Sequence, residues 1–398
     1  MPRSIRTRAV VERPVMSSLP LIAFSHLRWD FVYQRPQHLL SRFAQDRRVV
    51  VIEEPVHDLH AAPHWEQYHP HPNVTVLRPH TPCAEWGFAD AQLPYLHGLI
   101  ERLIREVPLQ RGLVWLYTPM ALPLIDVFEP EVIIFDCMDE LSAFDFAPPQ
   151  LVEREQQLLR RADLVFTGGP SLYRAKKHRH PHVHLFPSSV DAEHFRQARD
   201  GLPEPADQVL LPRPRLGFFG VIDERLDQPL LAYLAAAHPD WHIVLIGPVV
   251  KIDPALLPEA PNLHYLGQRS YKVLPAYLAG WDVCLLPFAR NAATQFISPT
   301  KTLEYMAAER PIVSTPITDV REPYGDIVYL GDTPEAFVTA CERALASSQE
   351  ERTQRGERMR AVLKDTSWDT TVAGMQRLIE AARQRGPASV STAIDDRL

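Results

Sequence analysis

A lysine and a glutamate three residues apart open a helix-forming stretch in FISPTKTLEYMAAERPIVSTP (296–316). The pattern starts a helix at Pro299 with Ser298 as its N-cap. Lys301 then falls in the first turn, and Glu304 shares its face. A cation in that turn opposes the helix dipole, at a cost of about 0.3–1 kcal/mol. An anion held by the free N–H groups of the helix start removes the conflict. One phosphate-facing cation beside one carboxylate suits a nucleotide. Ser298, Pro299 and Thr300 would form the helix start that receives it, Lys301 would meet the diphosphate, and Glu304 would meet the ribose hydroxyls. The same spacing also fits an amphipathic helix with a surface ion pair.

Such a helix needs a scaffold. The chain has 398 residues, enough for two to three domains at ~150 residues each. Hydrophobic residues make up 45% and charged residues 23%, the usual mix of a soluble globular protein, which excludes a disordered or collagen-like chain. Proline is frequent, with 38 residues against 16 glycines, and implies stiff turns. Apolar runs without alternation occur at 21–24, 49–52, 113–117, 132–135, 164–167 and 183–186, with helical stretches at 34–44, 91–107 and 149–161. Strands apolar at every position are buried on both faces, as in a parallel sheet covered by helices. The pattern restarts with strands at 216–219, 242–247, 262–267, 283–288, 311–315 and 327–330. Two α/β, doubly wound, Rossmann-like domains facing a central cleft follow.

The expected division is a disordered N-terminus over 1–18, a first α/β domain over 19–200, and a second over 201–365. A helix over 366–383 crosses back to the first domain, and 384–398 is a loose tail. The Pro-rich, charged stretch 198–215 reads as the linker region.

Several chemistries are excluded. There is no P-loop, no GxGxxG after a strand and no GxSxG. Net charge is -7, so no nucleic-acid partner is expected. Cys83, Cys137, Cys284 and Cys341 lie far apart, with no zinc-ribbon spacing, and fit a reducing compartment. No signal-peptide core and no membrane-length apolar run is present, which points to the cytoplasm. Histidines crowd 57–80, which reads as irregular, and alternate over 178–184; no metal is expected at either. The basic run RAKKHRH (174–180) offers a peripheral contact with anionic headgroups on the inner membrane face.

SPTKTLEYMAAERPIVSTP is similar to the nucleotide-binding segment of retaining GT-B glycosyltransferases of the family 4 type. Glu304 matches the carboxylate that holds the ribose there. Two positions depart from the pattern: Phe296 stands where a first glutamate is usual, and Glu309 where glycine is common. PSSVDAEHF (187–195) resembles the segment leaving the first domain, and LGFFGVIDERLD (216–227) the glycine loop under the donor phosphates. There Gly220 lets the backbone approach closely and Arg225 is a diphosphate partner. FSHLRWDFVYQRPQHLLSRFA (24–44), FDCMDELSAF (135–144) and RRADLVFTGGPSLY (160–173) resemble the teichuronic acid and exopolysaccharide branch. That resemblance places Trp29, Asp30, Gln34, Arg35 and His38 on the cleft, as does their position after the first strand. Asp136 and Asp139 follow the strand 132–135 likewise, with Asp139 the one facing the cleft.

The resemblance implies an enzyme moving a sugar from a nucleotide-sugar donor to a carbohydrate or lipid-linked acceptor, in polysaccharide or cell-envelope synthesis, with retention. Lys301, Arg225 and Asp139 would carry catalysis without a metal or other cofactor. Two alternatives stay open: an inactive sugar- or partner-binding protein, motivated by Phe296, and a nucleotide-sugar epimerase.

Overall fold

The computed structural model describes residues 18–145 and 147–385. The expected disordered start, and the tail beyond Arg385, lie outside the described residues.

The first body is a nine-stranded sheet ordered β3-β5-β2-β1-β6-β7-β8-β9, with β4 added antiparallel on β5. Its strands are β1 (Leu21–Ser25), β2 (Val49–Glu53), β3 (Val56–His57), β4 (His64–His71), β5 (Val74–Thr81), β6 (Arg111–Leu116), β7 (Glu129–Cys137), β8 (Leu164–Thr167) and β9 (Val183–Leu185). The central strands β1, β2 and β8 are buried at every position, which explains their unbroken apolar runs. α1 (Arg35–Phe43), α2 (Leu93–Glu106), α3 (Leu151–Arg161) and α4 (Pro170–Lys176) complete this body.

The hairpin β4–β5 stands where the sequence reads as irregular. β4, HWEQYHPH, is exposed along almost its whole length, so it has no apolar face to show a period of two. Pairing with β5 makes it a strand, and Asn73, at φ 64°, turns the chain between them.

The chain then passes α5 (Ala192–Arg196) and α6 (Ala206–Val209). Val190, Phe195 and Ala198 already belong to the second core. The crossing between bodies therefore precedes the Pro-rich stretch.

The second body is a six-stranded parallel sheet ordered β12-β11-β10-β13-β14-β15. Its strands are β10 (Arg215–Phe219), β11 (His242–Ile246), β12 (Leu263–Gly267), β13 (Val283–Leu286), β14 (Ile312–Ser314) and β15 (Tyr329–Leu330). Its helices are α7 (Gln228–Ala237), α8 (Leu274–Ala279), α9 (Thr300–Ala307), α10 (Thr318–Tyr324), α11 (Pro334–Leu345) and α12 (Gln349–Leu363).

α13 (Trp368–Arg385) leaves the second body. Trp368, Val372, Met375, Ile379 and Ala382 are buried in one apolar cluster with Leu39, Leu40 and Phe43 of α1 and the core of the first sheet. The last helix is thus a structural part of the first body. Strand order reverses beside β1 in one sheet and beside β10 in the other. Open α/β sheets receive ligands at such points.

Candidate active site

A cleft of about 1220 Å³ lies where these two edges meet. From the first body, Trp29, Asp30, Tyr33, Gln34 and His38 line it. From the second come Gly220, Arg225, Gly247, Tyr271, Lys301 and Glu304.

α9 begins one residue later than the sequence suggests. Pro299 occupies the cap position, and no side chain caps the helix. Ser298 is turned instead against Gly169 of the first body, where a Cβ would lie 2.7 Å from the Ser298 Cβ. Thr300 and Lys301 open the helix and line the cleft; Ser298 and Pro299 do not line it.

Glu304 is 7% exposed. Among the described residues neither its carboxylate nor the Lys301 ammonium has a hydrogen bond or ion pair. Burial pushes the Glu304 carboxyl up to about 7, with Lys301 opposing. Burial also presses Lys301 below the ordinary ammonium range, with Glu304 the main opposing charge. Gly220 makes room for this lysine. It has φ +145°, and a Cβ there would stand 2.0 Å from Lys301 Cε and 2.6 Å from Nζ.

Arg225 is bound more firmly than a waiting cation. Its guanidinium donates to both Asp223 oxygens, at 2.7 Å from Nη2, and lies 5.3 Å from the centre of the Phe144 ring. Lys251 lies 5.0 Å from the same ring. Phe144, from the first body, thus sits against two cations of the second. Asp139 does not line the cleft. Burial raises its carboxyl above the ordinary range, and Arg225, Lys251 and Lys301 oppose that rise.

Arg35 departs from its assignment to the cleft. It is 1% exposed and donates from Nε and Nη2 to Asp136, at 2.8 Å from Nη2, and from Nη1 to the Phe186 carbonyl at 2.8 Å. A buried carboxylate 101 residues away fixes it as a structural residue. His38 both lines the cleft and stacks on Trp368, with centroids 4.6 Å apart. Burial lowers its imidazole to about 3, so it is neutral at physiological pH.

Residues not singled out from sequence organise this edge. Glu53 ends β2 fully buried, accepting from the Trp29 N–H at 2.7 Å and from Arg78 at 2.8 Å. Arg78 also holds Asp30 at 3.0 Å. The Gln37 amide donates to the Trp29 and Val32 carbonyls, each at 2.9 Å. Gln268 donates across the cleft to the Phe31 carbonyl. Tyr271 packs 4.9 Å from Tyr33 and 4.5 Å from His194, ring centre to ring centre, with its hydroxyl buried and unpartnered among the described residues.

The basic run 174–180 does not present a block of unpaired charge. Arg174 meets Glu322 at 2.9 Å, Arg179 meets Glu155 at 2.7 Å, and buried Lys176 meets Glu140 and Glu155 at 2.6 Å. Among the described residues no helix is long and apolar enough to cross a membrane. Glu309, where glycine is common in the resembling family, takes φ 49°, a region glycine favours. Its carboxylate holds Arg199 and Arg360, each at 2.7 Å.

Comparison with known proteins agrees with this arrangement. The E. coli trehalose-6-phosphate structure bound with UDP-2-fluoro glucose superposes with a TM-score of 0.68 at 13% identity, covering 91% of this chain and 99% of that one. Sucrose-phosphate synthase from Thermosynechococcus elongatus gives 0.68 at 14% identity, over 92% of this chain and 100% of the other. The fold is GT-B. Residues 213–347, which hold the second sheet, match the family described as Glycosyl transferases group 1. Over 282 residues the chain is 25% identical to TuaH of Bacillus subtilis (strain 168), named as a teichuronic acid biosynthesis glycosyltransferase. That similarity covers 65% of this chain and 70% of TuaH.

Proposed function

We propose that this protein moves a sugar from a nucleotide-sugar donor to a carbohydrate or lipid-linked acceptor in bacterial polysaccharide or cell-envelope synthesis. It is a glycosyl-transfer enzyme, as the matched family segment and the TuaH similarity indicate. The finer reading is a family 4 type enzyme that retains anomeric configuration and needs no metal. The observation that carries the donor assignment is the buried Glu304 and the half-buried Lys301 beside Gly220 at the cleft, neither with an ion pair among the described residues.

In this reading Glu304 accepts hydrogen bonds from the ribose hydroxyls. The start of α9 and Lys301 receive the diphosphate, with Arg225 held beside them by Asp223. The anomeric carbon–diphosphate bond breaks and a bond to the acceptor hydroxyl forms. The hydroxyl proton leaves to a basic oxygen of the departing diphosphate. Charge grows on the phosphate oxygens as this happens, and a fixed ammonium stabilises that growth more than it stabilises the ground state. Burial raises the Asp139 carboxyl above its ordinary range, and the charges of Arg225, Lys251 and Lys301 oppose that rise. A cytoplasmic location suits the four cysteines, all of them free thiols.

Phe296 favours a second reading. It packs against the apolar cluster of the first body and does not line the cleft, so it supplies no group to a donor sugar. A binding protein without turnover would tolerate this.

A thermal-shift and hydrolysis panel of UDP-, GDP-, ADP- and dTDP-sugars tests both readings. An enzyme shifts and slowly hydrolyses one donor class, with activity retained in EDTA. A shift with no turnover on any acceptor supports the binding protein, and no shift with any nucleotide sugar overturns the donor site. Activity lost to EDTA and restored by a divalent cation overturns the metal-free mechanism.

A further inference from the structure

The edge of the first sheet gathers a second set of side chains, none of which lines the cleft. His64 of β4 stands opposite His80 of β5 in the antiparallel register. Their rings stack with centroids 4.7 Å apart and planes 23° apart. Asp58 follows β3, and its N–H donates to the Thr81 carbonyl at 2.7 Å, which brings it beside His80. Asp58, His64 and His80 each offer one ligand atom, and these atoms all lie within 4.8 Å of one another.

We propose that Asp58, His64 and His80 bind one divalent transition-metal ion of the zinc class, with solvent completing the coordination. Each ligand is already oriented from behind. The Asp58 Oδ1 accepts the His60 N–H at 3.0 Å, while Oδ2 faces His80 Nδ1 at 3.7 Å. His80 Nε2 stands 3.2 Å from Glu66 and donates its proton there, which leaves Nδ1 as a bare lone pair. His64 Nδ1 stands 3.0 Å from the Ala62 carbonyl and donates to it, which leaves Nε2 bare. Carboxylates and carbonyls behind imidazole ligands are the usual outer partners of a metal site.

Distance separates this arrangement from a direct hydrogen bond, although it lies within reach of an ion pair if His80 is protonated. At 3.7 Å, Asp58 and His80 are too far apart for a hydrogen bond. Two ligands about 2.0–2.2 Å from one tetrahedral ion stand roughly 3.3–3.5 Å apart, close to this spacing. Two imidazoles and one carboxylate suit zinc and its neighbours, whereas magnesium and calcium prefer oxygen alone. The site would tie β3, β4 and β5 together at an edge where β4 is mostly exposed.

The test is calorimetry of the untagged full chain with Zn²⁺, paired with melting curves. One ion per chain should bind and raise the melting temperature. His64→Ala/His80→Ala should lose both effects, and Asp58→Asn should weaken them. Glu66→Gln should weaken affinity by about 10–100-fold, because it loosens His80 without removing a ligand. His242→Ala is the control, since His242 and His264 form another close pair at 2.9 Å; it should leave binding unchanged. Circular dichroism and the donor-induced thermal shift confirm that each variant is folded. Absence of zinc binding by the wild-type chain overturns the proposal. So does binding that survives His64→Ala/His80→Ala, or binding that His242→Ala abolishes.

Discussion

The two walls of the cleft use charge differently. On the first body, charged groups beside the cleft are joined to each other: Arg35 to Asp136, Arg78 to Glu53 and Asp30, and Arg28 to Glu53. On the second, Arg225 is joined to Asp223, but the buried Glu304 and the half-buried Lys301 have no such partner among the described residues. An ion pair closed within the protein shapes a loop. A desolvated charge left without a protein partner is costly, and a bound ligand of complementary charge would offset that cost. On the proposed reading the contrast separates residues that build the site from residues that bind in it, although both sets look equally chemical in sequence.

The largest effect should come from breaking the closed wall. Arg35→Met leaves Asp136 buried without its guanidinium, which should cost about 3–5 kcal/mol of stability in urea unfolding. The fraction that folds should keep its donor dissociation constant. A stable variant that binds donor but transfers nothing would move Arg35 into the chemistry and erase the contrast.

Lys301→Ala tests the open wall. Single-turnover transfer should fall by about 10²–10³-fold, the usual loss for one transition-state donor. Donor affinity should fall less. The apo melting temperature should hold or rise, since a desolvated ammonium already below its ordinary range is removed. Marked destabilisation with normal turnover would make Lys301 a structural residue like Arg35.

Titration sharpens the same point. In the proposed donor site Glu304 accepts from ribose more strongly when ionised, and burial pushes it up to about 7 in the apo protein. Affinity for a nucleotide sugar, whose diphosphate diester does not titrate in this range, should therefore fall by up to about tenfold per unit below that pH. Glu304→Gln should bind more weakly and lose the pH dependence. In the apo protein the sign reverses. A raised carboxyl contributes stability below its unfolded value of 4.5, and that contribution is lost as pH rises to about 7. His38, lowered to about 3, acts oppositely: its contribution is present above 6.5 and lost on acidification. Calorimetric affinities and melting curves across this range check both signs.

The smallest effect is expected at the outer rim between the bodies. Arg174 and Glu322 are both about half exposed, so Arg174→Ala should change stability by less than about 0.5 kcal/mol. A larger loss would mean that this rim, rather than the buried core of each body, holds the two sheets together.

The local part of this contrast is legible in sequence. Lys301 and Glu304 lie one turn apart, so helical periodicity alone puts them on one face. The central strands also announce themselves, because burial on both faces leaves β1, β2 and β8 apolar up to their last residue. What escaped depends on distant partners. Nothing near Arg35 says that Asp136, 101 residues on, will bind it. Tyr271 carries no local motif, and its role comes from stacking on His194 of its own body and meeting Tyr33 across the interface. β4 escaped because its strand character comes from β5 and not from its own apolar pattern. The nearness of His64 and His80 is hidden in the same way: they are 16 apart in number and adjacent only once the hairpin folds.

The return of α13 to the first body has a mechanical result. The chain joins the two halves once ahead of Val190 and again at Trp368. Two covalent joints define a line, and rigid halves fixed at both can rotate freely only about it. Sliding and twisting would stretch one joint or the other. His38 stacks on Trp368 at one joint, and His194 sits near the other with its ring on Tyr271. Tyr271 in turn lies 5.4 Å from His38, ring centre to ring centre. The pivot is therefore lined with flat rings that can roll over one another while the far lips of the cleft swing through the larger arc.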